Sequence, residues 1–298
     1  MNNTKFLGIK RDTFLLYALV IPSVLIVLAV TIYPLICTFV YSFENFKLTD
    51  AQNKSFAGLD NYIKIFSEGG SVRSMLTTLT FTFFGVLASL IFGLCIALLV
   101  NSLKRSRPIF RVVFSMPMLL SSVVVGVMWK FLLNNELGII NFFTSSLGMG
   151  KPGWLDTGAF AVFTVILVDV WQWTPYVFIL TLAGLESLPL EPVESARIDG
   201  ANAFQIFRYL TLPGVMPVLK VAAMFRIIWT FRSFDLIFSL TKGGPGRATE
   251  TMALSIWRTA FEKYQIGEAS AQSVLMFLVL MLISIFLIRS MNRKTSDI

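Results

Sequence analysis

Apolar residues run along this chain in long blocks. No charged residue occurs in the 31 positions between Asp12 and Glu44, nor in the 30 between Arg73 and Lys104. About 20 apolar residues in a helix span a hydrocarbon core, so such blocks predict membrane-crossing helices rather than parts of a soluble core. Spans are expected at roughly 14–37, 76–100, 109–133, 158–183, 214–240 and 270–289. The fold class is therefore an all-α membrane protein with six transmembrane helices. This divides the chain into a tail at 1–13, a first helix with its outer loop at 14–75, a core at 76–289 carrying a polar loop at about 189–213, and a tail at 290–298. Pro22, Pro34, Pro117, Pro175 and Pro217 fall inside spans, where each removes a donor and bends its helix. Gly85, Ser89, Gly93 and Ala97 repeat every fourth residue, the spacing that lets two helices approach closely.

Charge sets the orientation. The net charge is +8, which in a membrane chain reports topology first. Lys5, Lys10 and Arg11 precede the first span, Lys104, Arg105, Arg107 and Arg111 crowd the second loop, and Arg289, Arg293 and Lys294 follow the last span. The loop 134–157 holds only Lys151. Both termini, the second loop and the fourth loop are thus expected in the cytoplasm. The first apolar run is too long for a signal-peptide core, so it is expected to be a retained helix. Histidine is absent, which removes its acid–base chemistry and the commonest metal ligand. Cys37 and Cys95 both lie inside spans and read as buried thiols, with no metal site.

Ionisable residues inside the membrane are functional candidates. Asp169 lies in the fourth span, and Arg226, Arg232 and Asp235 lie in the fifth. Four unpaired charges at the bilayer centre would cost roughly 10–14 kcal/mol, so they are expected to avoid lipid. Asp169, Gln172, Trp173 and Tyr176 fall on one helix face, and Arg226, Trp229, Thr230 and Ser233 repeat that spacing on the next span. These two polar-aromatic stripes could line a hydrated pathway, their rings stacking on sugar faces and their polar groups bonding sugar hydroxyls. Alternatively, an Asp169–Arg226 pair could lock two helices. Arg232 and Asp235, three residues apart, are expected to form a local pair.

The fourth loop reads LEPVESARIDGANAFQIFRYLTLP at 190–213. Pro189 and Pro192 delimit a helix start, Glu191 and Glu194 favour its N-terminal dipole, and Gly200 can end it in a left-handed conformation. A second helix is expected after Gly200 and is expected to stop at Pro213. Two short, small-surfaced helices could dock in a groove on another protein or rest on the membrane. GGPGRATE at 243–250 lacks phosphate-loop spacing and reads as a turn. Ala253, Ile256, Trp257, Ala260, Phe261 and Tyr264 form an apolar stripe, expected either on the outer membrane surface or docked against other helices.

Glu194, Ser195, Ala196, Gly200, Leu210, Leu212 and Pro213 resemble the E-A-A-x3-G-x9-I-x-L-P pattern of permease subunits in binding-protein-dependent ABC importers. Ser195 and Leu210 depart from it mildly. FAGLDNY at 56–62, RVVFSMPMLLSSVVVGVMWKFL at 111–132, ARIDGA at 196–201 and LTKGGP at 240–245 are similar to the carbohydrate-type branch, the maltose and glycerol-3-phosphate permeases. The resemblance runs over nearly the whole length. It implies the type I ABC importer permease fold, with a cytoplasmic coupling helix that carries Glu194, Ser195, Ala196, Asp199 and Gly200. It also implies a second permease subunit, an ATP-binding cassette ATPase dimer and an extracytoplasmic solute-binding protein as partners, with no nucleic acid. No cofactor is expected on this chain, ATP and Mg belonging to the ATPase.

The same resemblance places solute contacts on the two stripes, from Asp169 to Tyr176 and from Arg226 to Ser233. Arg226 leaves an acidic or phosphorylated sugar open unless Asp169 neutralises it. The function expected is translocation of a carbohydrate across a bacterial or archaeal plasma membrane, without enzymatic activity. The rival is an ion-gradient-driven secondary transporter, which would work alone and carry inverted repeats. No such repeat is visible.

Overall fold

The computed structural model describes residues 5–6, 9–103 and 106–292. Lys104, Arg105, Arg293 and Lys294, counted above among the topology-setting cations, lie outside them, as do parts of both tails. The described chain is helical almost throughout. Two-residue strands β1 (Lys5–Phe6) and β2 (Ile9–Lys10) pair antiparallel, as do β3 (Glu44–Asn45) and β4 (Ser55–Phe56). Five helical stretches are long and apolar enough to cross a membrane, namely Tyr17–Tyr41, Gly70–Ser102, Gly158–Glu186, Ala203–Phe231 and Ile266–Ser290. A sixth, Arg107–Leu119 with Ser122–Leu132, is bent by 92° at its break.

Chain contacts group into two compact units. One gathers the described residues up to Glu68 with Ile256–Leu275. Its first span is α1 (Arg11–Val27), a π-helical turn at Leu28–Ile32 and α2 (Tyr33–Tyr41). α3 (Asp60–Ser67) is held to the hairpin by Asn61, whose amide donates to the carbonyls of Ser42 (3.0 Å) and Glu44 (2.9 Å). Beside it, the Tyr62 hydroxyl donates to Ser42 Oγ at 2.8 Å. This is the role of the Asn-Tyr part of FAGLDNY.

The other unit comprises Gly69–Ser255 and the described residues from Met276. It is built on α4 (Gly70–Ser102), α8 (Gly158–Glu186) and α11 (Leu212–Phe231). The small-residue stripe of α4 works as its spacing predicts. A Cβ at Gly93 would lie 2.6 Å from Val177 of α8, so only glycine permits this approach. Ala97, Val177, Phe178, Leu182 and Val215 pack in the resulting core.

α5 (Arg107–Ser115) and a 3-10 turn at Met116–Leu119 lead to α6 (Ser122–Leu132). Pro117 sits inside that turn, so the third span breaks where a proline predicts. α7 (Ile139–Ser146) precedes α8. α9 (Glu191–Ile198) and α10 (Ala203–Ile206) flank Gly200, whose φ is +86°. A capping box between Asn202 and Gln205 starts α10.

Two expectations need correction. Pro213 does not stop the second loop helix. α10 runs through a π-helical turn at Phe207–Thr211 straight into α11, with the proline in its first turn. A π-turn re-routes the backbone bonds that a proline would otherwise leave open. The fifth span does not reach 240 as one helix either. α11 ends at Phe231, residues 232–234 are non-helical, and α12 (Asp235–Leu240) starts afresh.

After α12 the chain turns through Gly243, Pro245 and Gly246 to α13 (Met252–Trp257) and a π-helical turn at Arg258–Glu262, and α14 (Ile266–Asn292) is the last described element. Over 252–264 the residues buried are Met252, Leu254, Ser255 and Thr259, while Phe261 and Tyr264 of the apolar stripe are exposed. Ala253, Ile256, Trp257 and Ala260 are half-buried, so the stripe is covered over most of its length and opens outward only at its last two aromatic residues. A chain surrounded by lipid can do this at little cost.

Candidate functional site

α8 and α11 bring the two stripes into contact. Arg226 and Asp169 are 0% and 2% exposed, and Arg226 Nη2 donates to Asp169 Oδ2 at 2.5 Å and to Ser89 Oγ of α4 at 3.3 Å. Asp169 can stand against α4 because position 85 is glycine, whose Cβ would lie 3.1 Å from the carboxylate. Three helices are tied at this point. Nε and Nη1 of Arg226 have no protein partner, nor has the Thr230 hydroxyl.

Beside the pair lies a cavity of about 360 Å³. Its wall includes Asp169 and Trp173 from α8 and Arg226, Trp229 and Thr230 from α11. Ser233 adds a hydroxyl from the non-helical break. Trp229 packs against Trp173 (centroids 5.6 Å apart) and edge-on against Tyr176 (4.9 Å). Six of the eight sequence candidates therefore border one cavity. Tyr176 stands behind Trp229 rather than on the wall, and Gln172 is fully buried. The Gln172 amide donates to the Leu120 carbonyl (3.0 Å) and to Ser122 Oγ (3.3 Å), which holds the break of the third span.

The expected Arg232–Asp235 pair is not formed. Both side chains are exposed and border the cavity instead, together with Ser122, Phe234 and Leu236. Spacing of three residues pairs side chains only on a continuous helix, and the helix stops between them. The stripes alone did not point to Ser122, Arg232 or Asp235. Their signal was the cluster Arg-Ser-Phe-Asp deep in an apolar span, which marks a break rather than a salt bridge. The four ionisable groups here, Asp169, Arg226, Arg232 and Asp235, carry formal charges that sum to zero.

At the other end of α8 the loop residues stand largely open. Glu194, Ser195, Asp199 and Gly200 are exposed and Ala196 is half-buried. Ile198 is 86% and Phe204 72% exposed, an apolar tip unusual on a polar loop. The loop is anchored at its root, where Glu186, the last residue of α8, accepts from Arg107 and Arg111 at 3.0 Å each. The GGPGRATE stretch is a turn. The buried Glu250 carboxylate accepts from Arg247 and from Ser74 Oγ of α4 (3.2 Å), and Thr249 closes the turn onto Gly244 O at 2.9 Å. The hydrogen bond to Glu250 raises the Arg247 guanidinium above its already high ordinary pKa. Among the described residues no group of cysteine or acidic side chains could hold a metal ion.

A polytopic helical bundle with a polar cavity between its spans has the form of a membrane-spanning permease subunit. Residues 85–297 match the family described as binding-protein-dependent transport system inner membrane component. The probable ABC transporter permease protein y4oQ of Sinorhizobium fredii is 37% identical over 276 residues, 92% of this chain and 89% of that protein. The trehalose/maltose transport system permease protein MalF of Thermococcus litoralis is 35% identical over 274 residues, 91% of each chain. The sn-glycerol-3-phosphate transport system permease protein UgpA of Pectobacterium atrosepticum is 31% identical over 287 residues, 96% of this chain and 97% of that one. The fold is shared with a chain of a bacterial ABC transporter that imports the acidic polysaccharide alginate, with TM-score 0.83, 22% identity, and 95% of this chain and 96% of that one covered. The chain belongs to the inner membrane components of binding-protein-dependent transport systems. Its part is transport, not enzymatic catalysis.

Proposed function

We propose that this chain forms the passage for a neutral carbohydrate in an ATP-driven importer. The observation that carries the reading is the cavity walled by Trp173 and Trp229, with Arg226 neutralised by Asp169. Indole faces stack on sugar rings, and Ser122, Thr230 and Ser233 supply hydroxyls for theirs. The zero charge sum of the wall argues against selection of an acidic or phosphorylated solute. Relatives named for trehalose and maltose or for starch degradation products support the carbohydrate class.

The partners in this reading are a second permease, an ATPase dimer holding ATP and Mg, and an extracytoplasmic binding protein. Both termini face the cytoplasm. The exposed loop with Glu194, Ser195, Ala196, Asp199 and Gly200 inserts into the ATPase, and closure of that dimer pulls on α8 and α11, its two neighbours. Solute handed over from outside then meets the cavity. Uptake of radiolabelled trehalose and maltose into membrane vesicles, with and without ATP and the co-encoded partners, tests the proposal. The expected uptake needs both ATP and partners. Uptake by this chain alone, indifferent to ATP, would establish the secondary-transporter alternative instead.

A further inference from the structure

A second cavity, of about 640 Å³, lies at the far end of α6 and α12, between Lys130, Asn134 and Glu136 on one side and Asp156, Thr241 and Pro245 on the other. We infer that it is an outer solute site, which takes a neutral carbohydrate before the solute reaches the inner cavity. The inference rests on the carbohydrate-importer reading, which puts this end of α6 outside the membrane.

Size and chemistry both fit. Small-molecule sites span about 300–1,000 Å³ and combine apolar walls with a few polar groups. Leu155 is half-buried and offers apolar surface to the face of a ring, while Leu133 and Leu240 are buried in the floor. The Lys130 ammonium and the Glu136 carboxylate have no protein partner among the described residues, and the Asn134 amide nitrogen has none either. Asn134 spends only its side-chain oxygen, accepting from the backbone of Glu136 and Leu137 at 3.0 Å each, and Asn135 ties Asp156 into the wall. All three side chains are exposed at the mouth of the concavity, where a cation, a carboxylate and an amide offer donors and acceptors to hydroxyl groups in exchange for water. One lysine against Glu136 and Asp156 leaves the site formally negative, which disfavours an anionic solute.

Position supplies the second argument. Ser122 opens α6 at the inner cavity and Lys130 lines the outer one. At 1.5 Å per residue these lie about 12 Å apart along the helix. On the facing helix, Asp235 and Leu236 border the inner cavity while Leu240 and Thr241 border the outer one. Gly126 lets α6 press directly on Ser239 and Leu236 of α12, so a close-packed pair fixes the spacing. The two cavities are stations in series along one wall.

The test is ligand protection of engineered thiols. In a Cys37→Ser, Cys95→Ser background, Lys130→Cys reports the outer cavity, Glu136→Cys is a second outer reporter in case the first is poorly inserted, and Trp229→Cys reports the inner one. Washed right-side-out vesicles, free of soluble protein, are labelled with N-ethylmaleimide in the presence of glucose, trehalose, maltose or maltotriose. Labelling at the outer positions is expected to slow about tenfold at about nine times the Kd of a bound sugar. Protection at both cavities supports stations in series. Protection at the outer positions alone keeps the outer site and removes the inner stripes as solute contacts. If only Trp229→Cys is protected, the outer site is overturned and the carbohydrate reading stands. Protection nowhere by any of the four sugars overturns both.

Discussion

Asp169→Asn should be the most damaging conservative change in the chain. Arg226 is completely buried, and its partners are the Asp169 carboxylate at 2.5 Å and the Ser89 hydroxyl at 3.3 Å. Two of its guanidinium nitrogens already lack protein partners. The amide preserves shape and removes the only countercharge to Arg226 among the described residues. Breaking a buried pair from one side costs about 3–5 kcal/mol because the remaining charge is uncompensated. At about 2–4 °C per kcal/mol for a chain of this size, the unfolding midpoint should fall by about 6–20 °C. The double variant Asp169→Leu, Arg226→Met removes both charges and fills the space. Replacement of a whole buried pair by apolar groups is neutral or stabilising by about 1–4 kcal/mol, so the midpoint should return to the parent value or exceed it. Thermal unfolding of the detergent-solubilised protein, followed by size-exclusion, measures all three. An Asp169→Asn midpoint within about 2 °C of the parent would refute the existence of the pair in the folded protein. Uptake measured on the double variant then separates two roles. Restored stability with restored uptake makes the pair a helix lock, while restored stability without uptake makes the charges part of the solute path.

Three further outcomes follow from local geometry. Gly200 has φ of +86° and no atom within reach of an added Cβ, so Gly200→Val acts through backbone strain of about 1–2 kcal/mol. Uptake should be lost while immunoblots show normal membrane levels, and Gly200→Asn, which tolerates that conformation, should keep most activity. Glu186→Gln weakens two partly exposed pairs worth about 0.2–1 kcal/mol each. Its unfolding midpoint should hardly move, but ATP hydrolysis by the assembled transporter should rise relative to uptake, and an unchanged ratio would free the loop root of a coupling role. Gly93→Val drives a side chain into Val177 at 2.6 Å and should destabilise by about 1–3 kcal/mol. Val177→Ala should recover most of that in the same unfolding assay.

What spacing alone could reveal, it revealed here. Asp169, Trp173, Arg226 and Trp229 repeat at helical intervals, α8 and α11 are helical across them, and neighbouring faces meet as the periodicity requires. The α4 stripe was legible for the same reason, since Gly93 and Gly85 are small where another helix must pass. The interruptions were harder. Proline marks both Pro117 and Pro213, yet one sits in a break and the other in the first turn of a continuing helix. The difference is made by a π-turn ahead of Pro213 and, at the other site, by Gln172 from a different helix claiming the Leu120 carbonyl. No local pattern encodes a partner 52 positions away. The outer cavity was invisible for a related reason, as Lys130, Asp156 and Thr241 come from three separate segments.

The two breaks explain why a cavity lies here at all. In hydrocarbon every backbone N–H and C=O must be satisfied within the protein or face a water-filled space. The chain opens its backbone at 120–121 and again at 232–234. Continuous helices would have satisfied these groups at no further cost, so the openings need supports. A fully buried glutamine serves the Leu120 carbonyl at 3.0 Å, and the Thr251 hydroxyl serves that of Ser233 at 3.2 Å. The 360 Å³ space touches both regions, through Ser122, the first helical residue after the one break, and through Arg232, Ser233 and Phe234 of the other. A continuous fifth span would place Arg232 and Asp235 one turn apart on a single helix, free to pair with each other. Interrupting it leaves both charges on the wall of the cavity that Asp169 and Arg226 also border. The charges cancel whether or not the helix stops, so the break decides not the net charge of the wall but that Arg232 and Asp235 stand on it apart from each other.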